Sequence, residues 1–111
     1  MNVYDTANRL AYELKQSEEY KEYKLQKEQV NQNPELKQKL DDFEKARYEV
    51  QIAAIQEGKE NTQKAEEMQK IYMELIQTER MKQYFDAELK FNVMLGDVNK
   101  IIAEAVKEVI Q

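Results

Sequence analysis

The chain has 111 residues, one Pro, two Gly and no Cys, His or Trp, with 22 Asp and Glu against 17 Lys and Arg. Without Cys or His there is no disulfide framework, no Cys/His metal site and no conventional nucleophile–base pair, and so few Gly and Pro exclude a many-turned β-sandwich or barrel. The net charge of −5 argues against polyanionic partners, whether nucleic acid or an anionic lipid surface.

The first element is an i, i+3, i+4, i+7 stripe of Val3, Ala7, Leu10, Ala11 and Leu14, with Asp5 as the expected N-cap. Tyr20, Tyr23 and Val30 form a second stripe that faces nearly the opposite way on a wheel of about 100° per residue. One straight helix cannot bury both faces against a single core. A break at Gln16-Ser17 is therefore expected, with Ser17 capping the next helix and Glu18 and Glu19 near the positive end of its dipole.

Asn31-Gln32-Asn33-Pro34 ends that helix and starts another, with Asn33 as the cap and Pro34 at the first helical position. Leu36, Leu40, Phe43, Arg47, Val50 and Ala54 then follow in steps of four and three, a seam with one charged member. Gly58 is placed to stop the helix, giving a rod over about 34–57 roughly 36 Å long. Its far side carries Tyr48, Ile52 and Ile55, so the latter half is expected to be covered on both faces.

Asn61 and Thr62 restart the chain, and Ala65, Met68, Ile71, Tyr72, Leu75 and Ile76 make the next amphipathic helix. The last segment reads Tyr84, Glu88, Phe91, Leu95, Val98, Ile102, Ala105 and Val109, flanked by Met81, Phe85, Met94, Ile101 and Val106. Its face is rotated by roughly 160° from the one before Thr78, so a break is expected near Thr78. Gly96 lies inside this helix at a cost of about 1 kcal/mol relative to Ala, either at a close helix crossing or simply tolerated.

The mean hydropathy of −0.91 is low, as in disordered chains. The near-cancelling charges and the helical recurrence of apolar residues point instead to thin helices with wide wet faces. No run approaches the roughly 18 apolar residues of a membrane span, and Met1-Asn2-Val3-Tyr4-Asp5 is not a secretory start. The expected location is cytoplasmic.

Together these elements predict an all-α helical bundle, a single helical domain over residues 1–111. It is built on two long amphipathic helices, about 34–57 and 80–110, with shorter N-terminal and connecting helices. A helix over 80–110 is roughly 45 Å long, whereas a compact chain of this size is roughly 35 Å across. Ile101, Ile102, Val106, Val109 and Ile110 would overhang, and each large aliphatic is worth about 1.5–3 kcal/mol when buried. A second copy supplies the cover, and a homodimer is expected. Its candidate interface residues are Tyr48, Ile52 and Ile55 on one rod and Phe91, Leu95, Val98, Ile102 and Val109 on the other. The alternative is a monomer whose N-terminal helices fold back over both rods.

The carboxylate pairs Asp41-Asp42 and Glu66-Glu67, and Asp86 with Glu88, read as solvated helix surface rather than a metal site, because bundle di-metal sites add His to their Glu ligands. Ser17 is the only serine and has no His partner, and Gly58 and Gly96 make no phosphate loop. No catalytic, cofactor-binding or metal-binding residue is assigned. Tyr20-Lys21-Glu22-Tyr23-Lys24 and Lys27 resemble an aromatic and basic grip for single-stranded RNA. Glu18, Glu19, Glu22 and Glu28 share that segment and favour a packed tyrosine pair with lysines at its rim. Arg47 and Glu88 interrupt the two seams and are expected to approach each other, within or across subunits.

Several stretches resemble the YlbF/YmcA family, most closely its small YheA-like subgroup. They are Val3-Tyr4-Asp5, Ser17-Glu18-Glu19-Tyr20, Asn33-Pro34-Glu35-Leu36, Leu40-Asp41-Asp42-Phe43 and Tyr84-Phe85-Asp86-Ala87-Glu88-Leu89, the last followed by Phe91, Leu95, Val98 and Ile101-Ile102-Ala103. The resemblance implies an all-helical, self-associating cytoplasmic protein. It further implies a non-enzymatic regulator, similar to those of competence, sporulation and biofilm formation that act in a multiprotein complex linked to RNA processing. Relatives of that kind hold an iron–sulfur cluster through cysteines. This chain has none, so the cluster does not carry over. Two alternatives stand beside this reading: an RNA-binding accessory factor and a purely structural dimeric scaffold subunit.

Overall fold

Five α-helices and no strand make up residues 2–58 and 62–110, the residues that the computed structural model describes. They are α1 (Val3–Gln16), α2 (Glu18–Asn31), α3 (Pro34–Glu57), α4 (Thr62–Leu75) and α5 (Glu79–Ile110). Asn61, expected to restart the chain ahead of α4, lies outside the described residues. The all-α class and both long helices follow the sequence expectation closely.

The helix ends are set by local chemistry. At α1 the cap is Asn2, not Asp5: the Asn2 Oδ1 accepts from the Tyr4 N–H at 2.8 Å, which brings Val3 and Tyr4 into the helix. Asp5 becomes a first-turn acid, where the helix dipole favours it. Ser17 separates α1 from α2 in an extended conformation. Its hydroxyl donates to the Leu14 carbonyl at 2.6 Å and accepts from the Tyr20 N–H at 3.1 Å, so one side chain serves both helix ends. Asn33 caps α3 through the Leu36 N–H at 3.2 Å, with Pro34 opening the first turn. Gly58 ends α3 at φ 70°, a left-handed conformation that other residues adopt at a cost. The break expected near Thr78 falls between Leu75 and Glu79, where the Thr78 carbonyl accepts from the Met81 and Lys82 N–H groups and starts α5.

The chain forms two compact units, residues 27–83 and residues 1–26 with 84–111. In the first, α3 and α4 pack along each other. Phe43 meets Tyr72 with ring centroids 5.8 Å apart. Both lie well back from the α3–α4 connection, so the two helices run antiparallel. Leu40, Phe43, Ala53, Leu75, Val30 and Met81 are buried in this unit, and the Arg47 guanidinium lies over the Phe43 ring at 5.1 Å. Arg47 thus keeps its place in an apolar seam by resting its cation on an aromatic face. Near the end of the seam Ala53 takes the buried position and Ala54 is exposed, because packed helices cross at an angle and the covered line drifts around the rod.

The second face of α3 is not covered within one copy. Tyr48 and Ile55 are 63% and 78% exposed, and Ile52 is half-buried. The cause is supply: α4 has 14 residues, about 21 Å of rod, against the 24 residues of α3.

The two glycines should respond to alanine with opposite signs. Nothing lies within 4 Å of a Cβ built at either. Gly58→Ala meets only the left-handed backbone and should cost about 1 kcal/mol in urea unfolding. Gly96→Ala, in the interior of α5, should stabilise by about 1 kcal/mol.

Candidate functional site

In the unit formed by residues 1–26 and 84–111, the first turns of α2 lie along the first half of α5. Tyr20 and Tyr23 are three residues apart and share one helix face, as do Tyr84, Glu88 and Phe91. Tyr20 meets Phe91 edge-on at 6.0 Å, and Tyr23 lies 5.5 Å from Phe91 and 5.7 Å from Tyr84. Advancing along α2 moves the contact back along α5, so these segments are antiparallel. Ring pairs at such distances add about 0.5–1.5 kcal/mol each beyond their buried area. The Tyr23 Oη donates to the Glu88 Oε2 at 3.1 Å, giving a polar partner to a carboxylate that is only 9% exposed. The tyrosine pair therefore packs, as its glutamate-rich setting suggested, and lysines 21 and 24 sit at its exposed margin.

The carboxylates singled out in the sequence are spread over helix surfaces. Asp41 accepts from Lys37 at 3.2 Å, Asp42 from Gln38 at 3.0 Å, and Asp86 from Lys90 at 3.0 Å, all one turn apart on a single helix. Among the described residues no three His, Cys, Asp or Glu side chains converge to hold a metal ion.

What this unit does present is uncovered apolar surface. Along the end of α5, Ile101, Ile102, Val106, Val109 and Ile110 are all exposed, as are Leu89 and Val93 further back. α1 has no buried residue, and its Val3, Tyr4 and Tyr12 are open to solvent. Of the interface candidates on α5, Ile102 and Val109 are exposed. Leu95 and Val98 are half-buried, as is Phe91, which packs against Tyr20 and Tyr23 of its own chain.

An open groove of about 920 Å³ runs beside the ring cluster. Glu18, Glu19 and Glu22 of α2 line it, with Asp86, Leu89, Lys90, Val93, Met94 and Asp97 of α5. Sequence reasoning did not assemble it. Its apolar members stand off the main stripe of α5, and its acids come from opposite ends of the chain.

Residues 3–107 match the family described as control of competence regulator ComK, YlbF/YmcA. The chain belongs to the YlbF/YmcA family. This YlbF/YmcA chain is 40% identical over 105 residues to a UPF0342 protein of Symbiobacterium thermophilum, covering 94% of this chain and 93% of the relative. A UPF0342 protein of Caldicellulosiruptor saccharolyticus is 34% identical over 105 residues, covering 95% and 88%. Among solved structures, Bacillus subtilis RicA in complex with RicF superposes with a TM-score of 0.62 at 20% identity, covering 98% of this chain and 96% of RicA. At that identity the likeness establishes the helical fold. No helix of this YlbF/YmcA member among the described residues is long and apolar enough to cross a membrane.

Tyr23→Phe keeps the ring contacts and deletes the hydroxyl offered to Glu88. It should cost about 1.5–3 kcal/mol in urea unfolding, the range for a hydrogen bond to a charged group. Val93→Ser, on the exposed groove side, should stay within about 0.5 kcal/mol of the parent.

Proposed function

We propose that this chain is a non-enzymatic helical interaction protein that works as a homodimer within a cytoplasmic regulatory assembly. One observation carries the reading. Five large aliphatics in the last turns of α5 are between 43% and 87% exposed in a single copy. A row of that kind is an interface in waiting, because each side chain is worth about 1.5–3 kcal/mol on full burial.

Tyr48, Ile52 and Ile55 of α3, with Ile102 and Val109 of α5, are the residues assigned to self-association. Phe91, Leu95 and Val98 of α5 complete the set and are half-buried in a single copy. Support for a regulatory role comes from membership of a family described by competence control. Support for a protein partner comes from RicA, a structural neighbour solved in complex with RicF. The RNA-binding alternative is disfavoured by the packing of Tyr20 and Tyr23, since a stacking platform needs exposed rings. A purely structural scaffold shares the same dimer and differs only in having no further protein bound.

Light scattering at micromolar concentration should return twice the 13.3 kDa chain mass, and the monomer mass would overturn the dimer. Ile102→Asp with Val109→Asp should shift that mass to the monomer, because a buried unpaired carboxylate is costly. Retrieval of a defined protein from native lysate separates the regulator from the scaffold, which would come down alone.

A further inference from the structure

The charge of this molecule is not evenly spread. The groove between α2 and α5 is lined by five carboxylates, those of Glu18, Glu19, Glu22, Asp86 and Asp97, against the single ammonium of Lys90. That leaves −4 in the groove out of a chain total of −5. The remainder of the chain is nearly neutral, and Lys21 and Lys24 of α2, exposed at the margin of the ring cluster, are not among the residues lining the groove. Lys90 is already engaged by Asp86 at 3.0 Å. The groove also has an apolar floor: Leu89 and Val93 are 61% and 55% exposed, and Met94 is half-buried beside them.

From Asp86 to Asp97 α5 rises by about 16 Å, roughly three helical turns. An amphipathic helix laid in a groove of that length sets aliphatic anchors at i, i+4 and i+7 and leaves its flanks over the walls. Walls rich in carboxylate call for lysine or arginine on those flanks. The geometry points to this groove as a docking site for a cationic amphipathic helix of another protein. The inference rests on the interaction-protein reading above and names the kind of partner.

A second copy does not suit the groove. Two-fold pairing would set the same patch against itself, four negative charges facing four, which a close interface disfavours. Nor does α1 or the end of α5 carry a net positive charge to neutralise it. In α1, Arg9 and Lys15 are balanced by Asp5 and Glu13, and beyond Asp97 in α5, Lys100 and Lys107 are balanced by Glu104 and Glu108. Charge complementarity therefore selects a basic partner.

The test uses the full chain and a fluorescently labelled synthetic helix with leucines at i, i+4 and i+7 and lysines on both flanks. Fluorescence anisotropy should show micromolar binding. A version with glutamates in place of the lysines should not bind. A shuffle of the same composition that destroys the apolar face should bind about tenfold more weakly or worse, as expected for charge steering without a seated anchor. Glu22→Lys with Asp97→Lys, both exposed and outside the first helical turns, should weaken binding by about tenfold at low salt and by less at high salt. Leu89→Ser with Val93→Ser should weaken it at both.

Equal binding of the shuffled peptide, no binding of the basic helix, or indifference to both double variants overturns the proposal. So does ready disulfide linkage of two copies through Val93→Cys, clean in a chain without cysteine, since it would show the groove facing its own kind. Light scattering on the same samples keeps the two readings apart. A dimer that ignores the peptide loses only the groove, and a monomer that binds it loses only the dimer.

Discussion

Cover for apolar surface is the quantity this molecule lacks, and most of its features follow from that shortage. α5 has 32 residues and carries aliphatics nearly to its end, while α1 and α2 have only 14 residues each. Its own chain dresses α5 over the first half, where Met81, Tyr84, Ala87 and Glu88 are buried and the rings of Tyr20 and Tyr23 pack on Phe91. Beyond Val98 every side chain of α5 is exposed. A monomeric protein that left such a row wet would forgo several kcal/mol of a total stability of only about 5–15 kcal/mol.

The charged residues fit the same economy. Arg47 does not break its seam, because its guanidinium rests on Phe43. Glu88 is carried in a mostly aromatic setting because Tyr23 supplies a donor. Along α3 the acids Glu35 and Asp41 pair with Lys39 and Lys37 one turn away on exposed faces, where such pairs contribute a few tenths of a kcal/mol. The acids of the α2–α5 groove differ in being gathered from two helices onto one surface, and only one lysine joins them.

Much of this fold was legible in the residues, and the reason is locality. Asn33-Pro34, Ser17 and Gly58 act on their own helix ends through bonds spanning a few residues, so reading them requires no knowledge of tertiary structure. The α1 cap shows the limit of that rule. Asn2 and Asp5 are both competent, and only the geometry of the first turn decides for Asn2. Which stripes are covered was not legible, because cover depends on the length and position of the neighbours. Tyr48, Ile52 and Ile55 look like core on a helical wheel, yet α4 shields the other face. The groove was further out of reach. Its walls are joined by the antiparallel register of α2 on α5, which Tyr23 sets by touching both Tyr84 and Phe91.

The thin cover of α1 has an energetic consequence of its own. With no buried residue and 14 residues of length, it sits near the size at which a lone helix in water is only marginally formed. Its amides should therefore exchange with solvent at a rate set by local fraying, well ahead of those beneath the tyrosine cluster. Any molecule that settles on Val3, Tyr4 and Tyr12 must complete the ordering of this segment as it binds. Such an association would reveal itself calorimetrically, by a drop in heat capacity larger than rigid docking of the same area would give.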